Sequence, residues 1–190
     1  MPVDVDTSQR LDAIASATIA VAKESGARAV TIRTVAGHLG GSTTVVTHYV
    51  RNRADLMANA ARFALSIWRQ EMETRLDGLV GRERLLAFAR YWTTTTPDDR
   101  ALRSLWIEML SMNDPDSIAR DAVREEAKQE RLGILELLLG ENIPHPERAA
   151  DILYLLMRGF LISSVEDPDG WPSERVADAA AIVLQLLATV

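Results

Sequence analysis

The sequence predicts an all-α protein, and three observations support this. Apolar residues recur three and four positions apart, as in Leu85, Phe88, Ala89 and Trp92, whereas alternation with a period of two never persists. Glycine, proline, asparagine or aspartate interrupts this pattern at intervals typical of helix ends. The chain has 190 residues, enough to bury a core without disulfides or a metal.

These interruptions divide the chain into about nine helices. The continuous pattern after Arg53 and the lack of a Ser/Gly-rich linker indicate that a helix joins the N-terminal part to the rest. The predicted helices span 8–25, 32–39, 43–49, 53–76, 82–95, 98–112, 116–139, 146–166 and 173–189.

Composition excludes several classes of protein. There is no cysteine, and His38, His48 and His145 lie far apart, so we expect neither a metal site nor a cofactor. The apolar run 13–22 resembles a secretory signal, but acidic residues precede it and a typical helix end follows it. No run approaches the ~20 apolar residues needed to cross a bilayer. We therefore expect a cytoplasmic protein without a membrane partner.

The net charge of -6 argues at first against a nucleic-acid partner, but the charge is unevenly distributed. Residues 8–56 contain six basic and three acidic side chains, which gives this segment a charge of +3. A basic N-terminal part on an acidic body is typical of a DNA-binding module joined to a regulatory domain, although scatter in a short window gives the same pattern.

Residues 31–49 predict two short helices joined by a tight turn. Thr31 can cap the first helix, Gly40 and Gly41 can turn the chain, and Ser42 can cap the second helix. This is the pattern of a helix-turn-helix, whose second helix enters the major groove of DNA. Any pair of helices with a glycine turn looks similar, so the pattern alone leaves DNA binding open.

The segment 14–56 resembles the DNA-binding domain of TetR-family repressors. The resemblance rests on Ile14, Ala17, Gly26, the run Val30-Thr31-Ile32-Arg33-Thr34-Val35-Ala36, Gly40, Ser42 and the run Val50-Arg51-Asn52-Arg53-Ala54-Asp55-Leu56. It implies a three-helix DNA-binding domain at 1–52 and a ligand-binding and dimerisation domain at 53–190. It also implies a homodimer through the last two helices and release from DNA when a small molecule binds.

The same resemblance implies which residues contact a double-stranded DNA operator. Base edges would be contacted by Thr43, Thr44, Thr47 and His48, and phosphates by Thr31, Arg33, Val45, Tyr49 and Arg53. Val46 is expected in the core. The chain departs from the family, which usually has an aliphatic residue, tyrosine, histidine, phenylalanine and lysine at the positions of Gly41, Thr47, Tyr49, Val50 and Arg53. The operator preference of relatives therefore does not carry over.

Large apolar side chains after Arg53 suggest a site for an apolar or aromatic effector. Tryptophan and methionine can line such a pocket, although stripes of these residues are commonly plain core. The candidate ligand-binding residues are Trp92, Trp106, Met109, Met112, Tyr154 and Met157, with Thr93–Thr96, Glu108 or Arg158 as polar anchors.

The last two helices have broad apolar faces with small residues, which favour a four-helix dimer interface. These faces can also close the core of the single chain, and some positions must do so. The candidate interface residues are Ile152, Leu156, Gly159, Phe160, Ser163, Val176, Ala180, Val183, Leu184 and Leu187.

The sequence therefore predicts a transcriptional regulator, most simply a repressor that a small effector releases from its operator. An enzyme is not expected and no catalytic residue is assigned, because no phosphate-binding loop, nucleophile elbow or paired metal-binding histidines occur. A helical adaptor that binds only proteins remains the alternative, and it would show no salt-sensitive affinity for DNA.

Overall fold

Helices account for all the regular structure in the computed structural model of the chain, which describes residues 3–94, 97–111, 118–141 and 143–187. No strand occurs in these ranges, and the all-α prediction is confirmed. The elements are α1 (Val3–Ser25), a 3-10 turn (Ala27–Ala29), α2 (Ile32–His38), α3 (Thr43–Thr47), α4 (Arg53–Leu76), α5 (Gly81–Thr93), α6 (Pro97–Ser111), α7 (Ile118–Leu139), α8 (Pro146–Glu166) and α9 (Ser173–Leu187).

The observed helix ends follow the predicted ones closely, with two differences of note. Helix α1 begins at Val3 instead of residue 8, since no glycine or proline between these positions stops the helix. Helix α3 ends at Thr47, with His48 as its C-cap, instead of continuing to residue 49. The glycine ending α1, Gly26, has φ 84°, a conformation that an L-residue adopts only with strain.

The helices group into two compact units. The first, called here the head unit, contains α1, the 3-10 turn, α2, α3, α4 as far as Trp68, α6, and α7 as far as Arg124. The second, called the body unit, contains α4 from Arg69, α5, α7 from Glu125, α8 and α9. Helix α6 is therefore part of the same unit as the helix-turn-helix, although it lies far from it in sequence.

Apolar side chains from five helices form the core of the head unit. Ile14, Val35, Val46 and Leu56 are at most 2% exposed, as is Leu105 of α6. The side chain of Asn59 donates a hydrogen bond to the carbonyl of Leu11 at 2.8 Å, which links α4 to α1. Helix α6 packs against α1 and the 3-10 turn. The helix-turn-helix thus rests on a core to which α6 contributes directly.

The body unit has its own core, in which α9 packs against α5 and α8. The fully or nearly buried residues of this core are Leu76, Leu85, Phe88, Ala89, Ile134, Leu137, Leu138, Ala149, Ala150, Leu153, Ala180 and Leu184. Their three- and four-residue spacing within each helix is the periodicity from which the all-α fold was predicted. In the described ranges, no helix has the length and apolar character needed to cross a membrane.

Candidate functional site

The turn between α2 and α3 is built on hydrogen bonds to the last carbonyls of α2. Gly41 donates its N–H to the carbonyl of Ala36, and Gly40, with φ 68°, donates to Gly37, both at 3.0 Å. These bonds satisfy carbonyls that a helix end leaves free, and the left-handed conformation at Gly40 reverses the chain. The predicted helix-turn-helix geometry is therefore present in the head unit.

Thr31 fixes the start of α2. Its hydroxyl accepts the N–H of Thr34 at 3.1 Å, and its own N–H donates to the hydroxyl of Thr34 at 2.9 Å. The predicted cap at Thr31 is confirmed. Ser42 occupies the cap position of α3, but its side chain makes no capping hydrogen bond, which corrects that prediction. Only its carbonyl holds α3, by accepting the N–H of Val45 at 3.1 Å.

Helix α3 presents a polar surface over a buried anchor. Val46 is fully buried, as predicted, while Thr43, Thr44, Thr47 and His48 are exposed. Tyr49 is half-buried, and its ring meets that of His48 edge to face at 5.0 Å between centroids. The exposed side chains can donate and accept hydrogen bonds, and none of them is acidic, so the surface does not repel phosphate.

Gly41 makes room for Val45, a predicted phosphate-contact position. A Cβ atom at residue 41 would lie 3.3 Å from Cγ2 of Val45, closer than such contacts usually are. An aliphatic residue at position 41, as is usual in the TetR family, would therefore crowd the Val45 side chain. Val45 remains 39% exposed.

The two arginines predicted at phosphates have different surroundings. Arg33 is exposed on α2. Arg53 is half-buried, its Nε donating to the carbonyl of Val30 at 2.8 Å and its Nη2 to that of Ala27 at 2.9 Å. Nη2 also lies 3.1 Å from Oε1 of Glu108 on α6. Arg53 therefore acts within the head unit, a role that the sequence did not predict because Glu108 is remote in the chain.

Two side-chain hydrogen bonds that the sequence analysis did not predict hold the start of α4. The N–H of Asp55 donates to Oδ1 of Asn52 at 2.9 Å, and the N–H of Arg51 donates to Oδ2 of Asp55 at 3.0 Å. The signal was present in the sequence, because an asparagine followed three residues later by an acidic residue is a capping pattern.

The body unit contains a small apolar cavity of about 20 Å³. Two of the predicted ligand-binding residues, Trp92 and Met157, line it, and Thr93 is its one polar lining residue. The complete lining is Phe88, Ala89, Trp92, Thr93, Leu153, Leu156, Met157, Phe160, Val176, Ala180 and Leu184. The cavity has room for about one water molecule and is much smaller than the roughly 300 Å³ of a ligand pocket.

The other predicted ligand-binding residues lie elsewhere. Trp106 and Met109 are buried in the core of the head unit, 9% and 2% exposed, whereas Trp92 belongs to the body unit, and their part in ligand binding stays a prediction. Tyr154 packs on the core of the body unit without lining the cavity. Met112 lies outside the described residues.

Tyr154 belongs to a network of charged side chains between α7 and α8. Its hydroxyl accepts a hydrogen bond from Nε of Arg158 at 3.0 Å, and Nη2 of Arg158 lies 2.6 Å from Oε2 of Glu130. Burial raises the pKa of Glu130 to about 7, because the loss of water outweighs the attraction of Arg158. The nearby Glu126 adds to this rise and Arg69 opposes it. The described residues offer no cluster of acidic and histidine side chains suited to a metal.

Comparison with solved structures identifies the architecture. A protein from Rhodococcus sp. described as a TetR-family transcriptional regulator has a TM-score of 0.79, with 17% identity over 95% of this chain and 99% of its own. A TetR/AcrR-family regulator from Thermobifida fusca YX-ER1 has a TM-score of 0.66, 16% identity and coverages of 93% and 96%. This chain has the TetR-family fold. The sequence itself matches no protein-family model and no curated protein.

One neighbour with the TetR-type fold holds a small molecule. It is SmeT in complex with triclosan, with a TM-score of 0.70 and 16% identity over 94% of this chain and 91% of its own. These similarities cover nearly the whole length of the chain, whereas the resemblance found in the sequence covers only 14–56.

The TetR-type body unit exposes an apolar stripe on α8 and α9. Ile152, Leu155 and Ile162 of α8 are 44%, 67% and 44% exposed, and Ile182 and Leu186 of α9 are both 59% exposed. Gly159 lies exposed on the same face of α8 as Leu155 and Ile162, by its helical spacing. Ile182 and Leu186 were not among the predicted interface residues.

Four of the predicted interface residues are instead core. Phe160, Val176, Ala180 and Leu184 are 3% to 6% exposed within the single chain and line its cavity, which corrects their assignment. Leu156, Ser163, Val183 and Leu187 are partly buried. The physical reason is that α8 and α9 are apolar on two faces, and periodicity alone does not tell which face closes the core.

Proposed function

We propose that the chain is a sequence-specific DNA-binding transcriptional regulator that reads its operator with α3. The observation that carries the proposal is the surface of α3, where threonine hydroxyls and the His48 imidazole are exposed above the buried Val46. Hydroxyls and imidazole can donate and accept hydrogen bonds at base edges, and threonine methyls can contact the methyl group of thymine. The exposed Arg33 adds a positive charge for a phosphate.

The regulator acts as a homodimer through the exposed stripe of α8 and α9. Isolated large apolar side chains are common on protein surfaces, but a row of them at helical spacing on two adjacent helices favours burial against another surface. A second copy supplies a complementary surface by twofold symmetry. Two recognition helices then contact two half-sites of one operator, which gives the specificity that a single short helix lacks.

We further propose that the regulator is a repressor and that an apolar effector releases it from DNA. The cavity wall is apolar except for Thr93, and the similarly folded SmeT binds triclosan. Because the cavity holds only about 20 Å³, an effector must displace side chains or helices as it enters. The effector would then bind the displaced conformation of the body unit more tightly than the original one, and this difference in binding free energy would shift the protein toward the displaced conformation.

Selection of bound sequences from a pool of random duplex DNA tests the proposed function. The full chain is expected to enrich an inverted repeat, and binding to it is expected to weaken steeply as salt is raised from 50 to 200 mM. A chain that enriches no sequence and shows no salt-sensitive affinity for duplex DNA is not a DNA-binding regulator. That result would favour the helical adaptor instead.

A further inference from the structure

Arg53 joins three separate parts of the head unit through one guanidinium group. It stands at the first position of α4, and its nitrogens reach the carbonyls of Val30 and Ala27 and the carboxylate of Glu108. The two carbonyls lie on the 3-10 turn and on the residue that follows it, immediately before the Thr31 cap. Arginine suits this task because its planar group donates several hydrogen bonds in fixed directions.

Glu108 lies on α6 between residues that are fixed in the core. Leu105 and Met109 are each 2% exposed, and α6 packs against α1 and the 3-10 turn. The side chain of Glu108 is 25% exposed and that of Arg53 30%, so water does not fully screen the pair. A movement of α6 would therefore carry the Glu108 carboxylate with it and pull on Arg53.

The sequence places α6 directly after the helix that borders the cavity. Thr93, a lining residue, is the last residue of α5, and Pro97, the first residue of α6, is four positions later.

We propose that Glu108 and Arg53 form a clamp that sets the position of the helix-turn-helix relative to α4 and α6. The inference rests on the proposed DNA-binding function and deepens it by naming the contact through which α6 controls the DNA-binding surface. In this account Arg53 is a positioning residue, whose hydrogen bonds hold the turn before α2 in place. It is not one of the residues that contact phosphate.

Replacing Glu108 distinguishes between two roles of Arg53, a clamp within the head unit and a contact with DNA phosphate. Glu108→Ala removes a negative charge, which by electrostatics alone would strengthen DNA binding. If Arg53 contacted phosphate, its release from Glu108 would also raise affinity and steepen the salt dependence. If the pair is a clamp, affinity for the selected operator falls about two- to tenfold with an unchanged salt slope. Glu108→Gln keeps an acceptor for Arg53 and is expected to lose less affinity.

Hydrogen exchange of the full chain supplies a second readout that does not depend on DNA. The N–H groups of Ala29 and Val30, which bond to Gly26 and Ala27 within the turn, are expected to exchange faster in Glu108→Ala than in the wild type. The matched control is Asp121→Ala, which breaks the exposed ion pair with Arg124, 3.6 Å apart on α7 in the same unit. This control removes the same charge, so it is expected to leave the exchange rates unchanged and not to lower the operator affinity.

Two results would overturn the clamp. One is an operator affinity for Glu108→Ala that equals or exceeds that of the wild type, and the other is unchanged exchange at Ala29 and Val30. If the wild type binds no DNA, the proposed function fails, and the exchange measurement alone then decides whether Glu108 holds the turn. Glu108→Gln decides the same questions if Glu108→Ala does not fold.

Discussion

Single side chains in the head unit divide between those that face solvent and those that hold the unit together. Arg33 and Arg53 looked equivalent in the sequence, as two basic residues flanking a helix-turn-helix. In the structure Arg33 is exposed, whereas Arg53 binds two carbonyls and Glu108. A replacement of Arg53 therefore removes hydrogen bonds to the turn as well as a charge, and Arg33 is the better residue for testing phosphate contact.

Arg33→Ala is expected to weaken binding to all DNA sequences by a similar factor. Loss of one phosphate contact should lower the slope of log affinity against log salt by about 0.9, because one fewer counterion is released. Titrations of labelled operator at several salt concentrations measure this slope. Arg148→Ala, which removes an exposed arginine of α8 in the body unit, is the matched control, and equal slopes for the two variants would rule out the contact.

Glu130 is expected to make stability depend on pH. Its pKa is raised to about 7 in the folded chain from an ordinary value of 4.5, so the folded chain holds this proton more tightly than the unfolded chain. The stabilisation is complete below about pH 4.5 and is lost as pH rises through about 7, on the order of 3 kcal/mol in total. The free energy of unfolding is therefore expected to decrease as pH rises from about 4.5 to about 7.

Urea unfolding of Glu130→Gln from pH 4.5 to 7.5 measures this contribution. The variant loses the ion pair with Arg158, so its absolute stability falls, but its pH slope should be flatter than that of the wild type. Glu136→Gln, at an exposed position of the same helix, should retain the wild-type slope. Identical slopes for all three proteins would show that Glu130 does not titrate in this range.

At the scale of helices, the sequence was sufficient to predict which segments are helical but not which faces pack together. The ends of α4, α8 and the connection around Gly40 follow from caps, proline and glycine. The assignment of Phe160 and Ala180 to an interface failed because α8 and α9 are apolar on two faces. The local pattern of apolar residues shows that a segment is helical. Which apolar face is buried depends on contacts between segments that are remote in sequence.

The exposed face of α8 predicts where a dimer can be broken without unfolding the chain. A Cβ atom added at Gly159 meets nothing within 4 Å, so Gly159→Glu fits the single chain. In a dimer it would place an unpaired charge in an apolar interface, which costs several kcal/mol. We expect the variant to sediment as a folded monomer at micromolar concentration.

Gly133→Glu is the control for this variant. Gly133 is also an exposed helical glycine with nothing within 4 Å, but it lies on α7, away from the stripe. This variant should sediment like the wild type. A wild-type chain that is monomeric, or a Gly159→Glu variant that still dimerises, would contradict the assigned interface.

For the whole molecule, the proposed regulation requires that an apolar effector bind the body unit and lower operator affinity. Trp92 borders the cavity and should report binding through its fluorescence, whereas Trp106 lies in the head unit. A coupling free energy of about 1–3 kcal/mol would lower DNA affinity by about 5- to 150-fold. The fluorescence response should survive in Trp106→Phe and disappear in Trp92→Phe.

A screen of apolar compounds by fluorescence, followed by operator titrations with each hit, checks this prediction. Compounds that alter the Trp92 signal but leave DNA affinity unchanged would show binding without regulation. The sequence alone could not separate these two tryptophans, because both lie at helical spacing among apolar residues. Their assignment to different units follows from the packing of α6 against α1.

The central claim, that α3 reads DNA sequence, is tested most directly by selecting operators with the wild type and with Thr44→Ala and His48→Ala in parallel. Each variant is expected to lose discrimination at particular base positions, by about 1–3 kcal/mol for a good contact, and to keep the preference at the others. Thr74→Ala, which removes an exposed threonine of α4, should select the wild-type sequence. Identical preferences for the wild type and both α3 variants would contradict the account.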